Sequence, residues 1–136
     1  MNVRGTAAAV CLSVCAGILP SLAAAQSPVE YRVRATNKTS TMQKEMQEAG
    51  DAGFEYRGQT IFKSMFGGAE VVTILEKSPD AQLVRYQYRL LATKKTSTLQ
   101  KELAEAGEAG YEFVGMTVAK TLVGGEEVVA ILRRKL

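Results

Sequence analysis

One segment of the chain occurs twice, and this duplication constrains the fold more than any other feature. Residues 31–77 align without a gap on residues 88–134 at an offset of about 57 positions, and about 27 of the 47 aligned positions are identical. A tandem repeat of this length is a duplicated supersecondary unit, so the fold has to be predicted from one unit and its neighbour. The shared positions are mostly structural, so the repeat predicts architecture rather than chemistry.

The first 25 residues have the composition of an export signal. Arg4 is followed by an apolar run over residues 6–19, and the alanines at 23–25 fit the site of a signal peptidase that cleaves before Gln26. The run is shorter than the roughly 20 residues of a membrane-spanning helix, so we expect no stable membrane span after cleavage. The protein is therefore predicted to be periplasmic or secreted.

The side chains that the chain lacks exclude several classes of chemistry. Both cysteines, Cys11 and Cys15, lie in the export signal, and the sequence contains no histidine. Zinc sites built from cysteine and histidine are therefore excluded after cleavage, together with Ser-His and Cys-His nucleophile pairs. We predict no catalytic, cofactor-binding or metal-binding residues. The net charge of +3 is spread over interspersed acidic and basic residues, so nucleic acid is not an expected partner.

The chain divides into a signal peptide over residues 1–25, a first repeat over residues 26–80 and a second repeat over residues 81–136. One repeat alone would bury only a marginal core, so we expect the two repeats to share one compact domain.

Each repeat is predicted to form a strand, a helix and a hairpin. Alternation over residues 29–35 and 86–92 predicts strands whose Tyr31 and Tyr88 face inward. Helices follow, with capping boxes Ser40–Gln43 and Ser97–Gln100 at their starts.

Glycines predict where the helices end and the hairpins turn. Gly53 and Gly110 are expected just past the helix ends in the left-handed conformation. Gly58 and Gly115 predict a bulge or a position beneath the helix.

The glycine pairs 67–68 and 124–125 predict two-residue hairpin turns. Such a turn would pair Ile61 with Ile74 and Lys63 with Val72 in the first repeat. It would pair Val118 with Ile131 in the second.

These elements predict an α+β fold of two tandem β-α-β-β units, each an antiparallel sheet with one helix packed on a face. Strand order 1-3-2 keeps all neighbours antiparallel within a unit. The two units are expected to be related by a pseudo-twofold axis, and their sheets could join edge to edge into six strands, which would remove exposed edges. Face-to-face packing is the alternative.

The element pattern of the second repeat resembles a known family. It consists of a Tyr-x-Tyr strand, a helix that ends in glycine, an aromatic residue beside a glutamate, and a strand with a basic end. In that order, the residues are Tyr86-x-Tyr88-Arg89, Leu99 to Gly110, Gly110-Tyr111-Glu112-Phe113-Val114 and Val128-Val129-Ala130-Ile131-Leu132-Arg133. This pattern resembles the small bacterial domain-of-unknown-function 4177 family. Both repeats place Phe54 or Tyr111 where that family usually has tryptophan. The resemblance implies a strand-helix-strand-strand fold and supplies no catalytic residues.

Two kinds of residue pair could be interpreted as catalytic. Glu55 and Glu112 recur beside an aromatic residue, and paired carboxylates can perform acid-base chemistry. Ser40 with Lys44, and its counterpart in the second repeat, fits a serine-lysine nucleophile, but the hydroxyl is better used as a helix cap. We interpret both kinds of pair as structural.

The sequence favours an exported, non-enzymatic interaction or envelope module with an unidentified protein or envelope partner, which could self-associate through its sheet edges. The alternative is a small-ligand carrier with an aromatic-lined cleft between helix and sheet or between the repeats, using residues such as Tyr86 and Tyr111. A hydrolase that uses Glu55 or Glu112 is the third hypothesis.

Overall fold

The computed structural model describes residues 27–63, 65, 68–79, 84–120 and 125–136, so the predicted export signal lies outside the described residues. In chain order the elements are β1 (Glu30–Thr36), α1 (Thr39–Asp51), β2 (Glu55–Lys63), β3 (Ala69–Lys77), β4 (Tyr86–Thr93), α2 (Thr96–Glu108), β5 (Glu112–Lys120) and β6 (Glu126–Lys135). Each repeat is therefore the predicted strand-helix-strand-strand unit. Neither helix among the described residues has the length and apolar character needed to cross a membrane.

The strands form two separate antiparallel sheets, in the orders β1-β3-β2 and β4-β6-β5. The α+β fold and the order within each unit are confirmed. The edge-to-edge arrangement into six strands is not formed, because the two sheets share no hydrogen-bonded strand pair among the described residues. Side chains of α1 cover the outer edge of β4 instead.

Both helices end as predicted. Gly53 and Gly110 have φ angles of +85° and +81°. In the first repeat the N–H of Gly53 donates to the carbonyl of Gly50 at 3.0 Å, and the N–H of Phe54 donates to the carbonyl of Ala49 at 2.9 Å. This is the Schellman arrangement, which satisfies carbonyls at the helix end and needs a left-handed residue.

The helix starts differ from the prediction. The helix α1 begins at Thr39 with Lys38 as its N-cap, and no side chain caps it; α2 begins at Thr96 in the same way. The predicted capping boxes are therefore wrong. Gln43 does not bond back to the start of its own helix but reaches across to the other repeat.

The hairpin register also differs. Lys63 pairs with Ala69 and Ile61 with Val71, and in the second repeat Val118 pairs with Val128. The predicted two-residue turns are too short, since residues 64–68 and 121–125 connect the strands; Gly67 and Gly124 lie outside the described residues.

The glycine bulges are confirmed in both hairpins. The pairing register shifts between Tyr56 and Gly58 in the first repeat, and between Phe113 and Gly115 in the second. The bulge therefore lies at the equivalent position of each unit.

Two buried clusters of the described residues form the core, and the larger one contains residues of both repeats. The larger cluster combines α1, one face of each sheet and the start of β2: Met42, Met46, Ala49, Phe54, Tyr56, Val71, Leu75, Tyr86, Tyr88 and Ile131. A smaller cluster holds α2 on the opposite face of the second sheet, with Leu91, Ala106, Ala130 and Leu132 buried. The second sheet is therefore covered on both faces, and the first on one.

The predicted inward face of β1 is wrong. Tyr31 and Val33 are exposed, whereas Arg32 on the opposite face lies over the ring of Phe54, 3.9 Å from its centroid. Alternation correctly groups the residues of one face. It does not indicate which face a neighbouring unit will cover, and no described part of this chain covers the Tyr31 face.

Candidate functional site

The junction between the repeats is built on the outer edge of β4. Gln43 Oε1 accepts a hydrogen bond from the N–H of Leu90 at 2.7 Å, and its Nε2 donates to the carbonyl of Tyr88 at 2.9 Å. One turn later, Gln47 Oε1 accepts from the N–H of Tyr88 at 3.1 Å and its Nε2 donates to the carbonyl of Tyr86 at 3.5 Å. The two amides thus satisfy backbone groups that an edge strand otherwise exposes.

Gly50 allows α1 to approach β4 this closely. A Cβ atom at this position would collide with the carbonyl oxygen of Tyr86 and would lie 2.8 Å from the ring of Tyr88. The backbone oxygen cannot move without disturbing the strand, so the contact requires glycine.

The hydroxyl of Tyr88 anchors the buried end of the junction. It donates to the carbonyl of Phe54 at 3.1 Å and accepts from the N–H of Tyr56 at 2.7 Å. Burial raises the pKa of Tyr88 to about 12, because the phenolate would lose its hydration. The hydroxyl is therefore a structural hydrogen-bonding group at neutral pH.

Arg133 joins the repeats electrostatically. Its side chain is only 12% exposed and makes ion pairs of 2.5 Å with Glu55 of the first repeat and with Glu112 of the second. Glu55 also lies 3.5 Å from Arg57, which pairs with Glu76 at 2.8 Å. Burial alone would lower the pKa of Arg133, but its hydrogen bonds to the two carboxylates outweigh burial and the net direction is upward.

The two glutamates singled out by the sequence are therefore brought together, one on each side of Arg133. A general acid or base needs an exchangeable proton within reach of a substrate, whereas both Glu55 and Glu112 here accept hydrogen bonds from the guanidinium. Among the described residues, no group of three or more acidic, cysteine or histidine side chains is arranged to hold a metal ion.

The Ser-Lys pairs are not assembled as a nucleophile site. Lys44 is largely exposed and lies 3.9 Å from Glu48, and Lys101 lies at the same distance from Glu105. Exposed ion pairs of this kind at i,i+4 are ordinary features of a solvated helix face.

The aromatic residues proposed for a ligand cleft are not gathered in one cavity. Tyr86 is buried in the junction, and Tyr111 stacks under the guanidinium of Arg134 at 4.9 Å in a shallow polar depression. The groove between β2 and β5, about 390 Å³ in volume, is instead lined by aliphatic and small polar side chains: Gln59, Thr60, Ile61, Met116, Thr117, Val118 and Val128.

The two repeats use different surfaces for their contact, which differs from the expected pseudo-twofold arrangement. The first repeat contributes a giving face, formed by α1 and Tyr56, and the second contributes a receiving face on the second sheet. The internal giving face consists of Met42, Gln43, Met46, Gly50 and Tyr56; the internal receiving face consists of Tyr86, Tyr88, Leu90, Gly115 and Ile131. A twofold axis would also bring α2 onto β1, and no hydrogen bond or core cluster of the described residues joins those elements.

Each face consequently has an uncovered counterpart on the outside of the molecule. Tyr31 is 63% exposed where Tyr88 is 2% exposed, and Ile74 is 45% exposed where Ile131 is fully buried. On the giving side, Phe113 is 54% exposed where Tyr56 is 9% exposed. The same residue types therefore lie in a core in one repeat and at the surface in the other.

Comparison of the chain with models of known protein families, with curated proteins and with solved structures gives no match. The resemblance to the family described above thus remains an interpretation of the residues themselves.

Sequence reasoning missed Gln43, Gln47 and Arg133 as junction residues. A signal was present, because Gln47 and Arg133 are among the positions where the repeats differ in charge or polarity: Ala104 and Glu76 are their counterparts.

Proposed function

We propose that the protein is an exported, non-enzymatic α+β protein that acts as an interaction or envelope module in the periplasm or outside a bacterial cell. The observation that carries the proposal is the exposed apolar face of the first sheet, where Tyr31, Val33 and Ile74 point to solvent. Contiguous exposed apolar residues are typical of interaction surfaces.

The chemistry of the junction supports a non-enzymatic role. Glu55 and Glu112 are engaged by Arg133, and the Tyr88 hydroxyl bonds to backbone groups in the core. These polar side chains thus have structural partners, and the sequence offers no histidine to move a proton near neutral pH.

Two measurements test this proposal on the full chain expressed in a bacterial host. Cell fractionation with mass spectrometry should find the protein outside the cytoplasm, beginning at Gln26. Photo-crosslinking from position 33, on the exposed face, should capture a defined partner, with position 44 on the solvated helix face as the control. A cytoplasmic, unprocessed protein contradicts the export part, and equal labelling from both positions contradicts the interaction face.

The groove between β2 and β5 favours the alternative, a carrier of a small apolar ligand. Its lining includes Ile61, Met116 and Val118, whose side chains are exposed to solvent. Thermal-shift screening with fatty acids and other apolar compounds tests this function, since a ligand at 100 times its Kd stabilises a protein by about 2.7 kcal/mol. Met116→Glu should abolish such a shift; a shift that persists in that variant places the ligand elsewhere.

A further inference from the structure

We propose that copies of this chain associate head to tail, with the outer giving face of one copy docking on the outer receiving face of the next. This inference rests on the proposed interaction function and identifies the partner as a second copy. The outer receiving face consists of Val29, Tyr31, Val33, Gly58 and Ile74, and the outer giving face consists of Leu99, Gln100, Leu103, Gly107 and Phe113. Each residue is the repeat counterpart of one at the internal junction.

The outer receiving face keeps the features that the internal one uses. Tyr31 and Ile74 are identical to their counterparts, and Val33 replaces Leu90. At the internal junction the ring of Tyr56 lies over Gly115, with its Cζ 2.9 Å from where a Cβ would be. At Gly58, by contrast, an added Cβ would meet nothing within 4 Å. The seat for an aromatic ring is therefore present and uncovered.

The outer giving face carries the matching groups. Phe113 is exposed at the position from which Tyr56 inserts. Leucines replace the two methionines of α1, and Gln100 is identical to Gln43. An added Cβ at Gly107 would also meet nothing within 4 Å, although the equivalent Gly50 is in tight contact with β4. Leu99 and Leu103 pack on their own sheet, whereas the Gly107 side of α2 has no described residue against it.

Specific hydrogen bonds of the junction can re-form between copies. The strands β1 and β4 pair with their neighbours in the same register, Tyr31 with Glu76 and Tyr88 with Arg133. Gln100 would therefore meet the carbonyl of Tyr31 and the N–H of Val33 as Gln43 meets those of Tyr88 and Leu90.

A second polar contact is preserved at the start of the helix, one turn before this glutamine. The hydroxyl of Thr39 donates to Glu127 at 2.9 Å across the internal junction. The counterparts of these residues, Thr96 and Glu70, are identical in type. The outer faces therefore match each other in polar as well as apolar groups.

The outer contact lacks two elements of the internal one. Ala104 stands in place of Gln47, so one amide is lost, and Glu76 stands in place of Arg133, so Glu112 would meet no equivalent arginine. We therefore expect association that is weaker than the internal junction and dependent on protein concentration. Because the giving and receiving faces differ, the contact is heterologous, and it produces either a closed ring or an open chain of copies.

Complementary variants of the full, processed chain test this geometry. Gly107→Ala blocks only the giving face, by placing a Cβ where β1 of the next copy would lie. Tyr31→Glu blocks only the receiving face, at an exposed position that the fold does not use. Sedimentation velocity and light scattering should show concentration-dependent oligomers of the unaltered chain. Each variant should weaken self-association by at least ~10-fold in Kd, about 1.4 kcal/mol.

Mixing the two variants gives the decisive result. Gly107→Ala retains a working receiving face and Tyr31→Glu a working giving face, so the mixture should form a one-to-one dimer that neither variant forms alone. A monomeric unaltered chain at every concentration overturns the inference, as do oligomers that neither variant weakens or a mixture that fails to pair. If the unaltered chain is monomeric but position 33 still crosslinks an envelope component, only this inference fails and the proposed function stands.

Discussion

The side-chain amide of Gln43 pairs with the backbone N–H of Leu90 at 2.7 Å, although 47 residues separate them in the sequence. Gln47 makes the equivalent contact with Tyr88 at 3.1 Å. Helix-borne amides thus take the place of a neighbouring strand along β4. This arrangement joins the repeats without merging their sheets.

Removing either amide should destabilise the protein. We expect Gln43→Ala and Gln47→Ala each to lower the free energy of unfolding by about 1–2 kcal/mol, because partly buried backbone groups of β4 lose their partners. The matched control is Gln100→Ala, whose side chain is exposed and which should change stability by less than about 0.5 kcal/mol at low protein concentration. Urea unfolding measures all three; equal losses in the three variants would refute the edge-covering role.

Alanine at the two equivalent helix glycines should have opposite effects. Gly50→Ala should lower stability by about 1–3 kcal/mol, because the new methyl group overpacks against β4. Gly107→Ala should raise stability by up to about 1 kcal/mol. Alanine is the better helix former, and in a single, unassociated molecule an added Cβ at this position meets no neighbouring atom. Thermal unfolding of dilute protein distinguishes the two, and a stabilised Gly50→Ala variant would contradict the close approach.

Loss of the arginine at the junction should cost more than loss of an exposed one. Arg133→Met leaves Glu55 and Glu112 without their common partner, and we expect a loss of about 1–3 kcal/mol in unfolding free energy. Arg57→Met removes a half-exposed ion pair and should cost less than about 1 kcal/mol. Denaturant titration measures the loss of unfolding free energy in both variants. A loss in Arg57→Met that equals or exceeds the loss in Arg133→Met would contradict this interpretation.

Stability should fall at alkaline pH because of Tyr88. Its pKa is raised by burial to about 12 in the folded state, against about 10 in the unfolded chain, so the folded state holds the proton more tightly. The stabilisation is complete below about pH 10 and is lost progressively as the pH rises to about 12, a change on the order of 3 kcal/mol. Burial also raises the pKa values of Tyr56 and Tyr86, which adds to the loss in the same direction.

Denaturant unfolding across this pH range, with tyrosinate absorbance recorded in parallel, measures the effect. Tyr88→Phe removes the ionisable group and should show a shallower fall of stability with pH. An identical slope in the two proteins would show that Tyr88 does not control the alkaline transition.

Local features were predictable from the sequence because they depend on local chemistry. The left-handed conformations of Gly53 and Gly110 and the bulge at Gly58 follow from glycine's backbone freedom. Strand order within a unit follows from keeping all neighbouring strands antiparallel. All of these are properties that one repeat has by itself.

The junction was not predictable in the same way. Gln43 fits a capping box equally well, and a hydrogen bond to a strand 47 residues away has no sequence pattern of its own. The inward assignment of Tyr31 was wrong for the same reason, because burial depends on what lies opposite a face. The hairpin register was missed because glycines at 67–68 predict a turn but not where pairing stops.

Because the two repeats use different surfaces for their contact, a further repeat could be added to the array. In an arrangement with a twofold axis, two units cover each other and a third has nowhere to attach. Here the described contact occupies one face of each unit. It leaves uncovered the outer receiving face of the first unit and the outer giving face of the second. Lengthening the array by another unit would therefore need no new kind of surface, only another copy of the existing one.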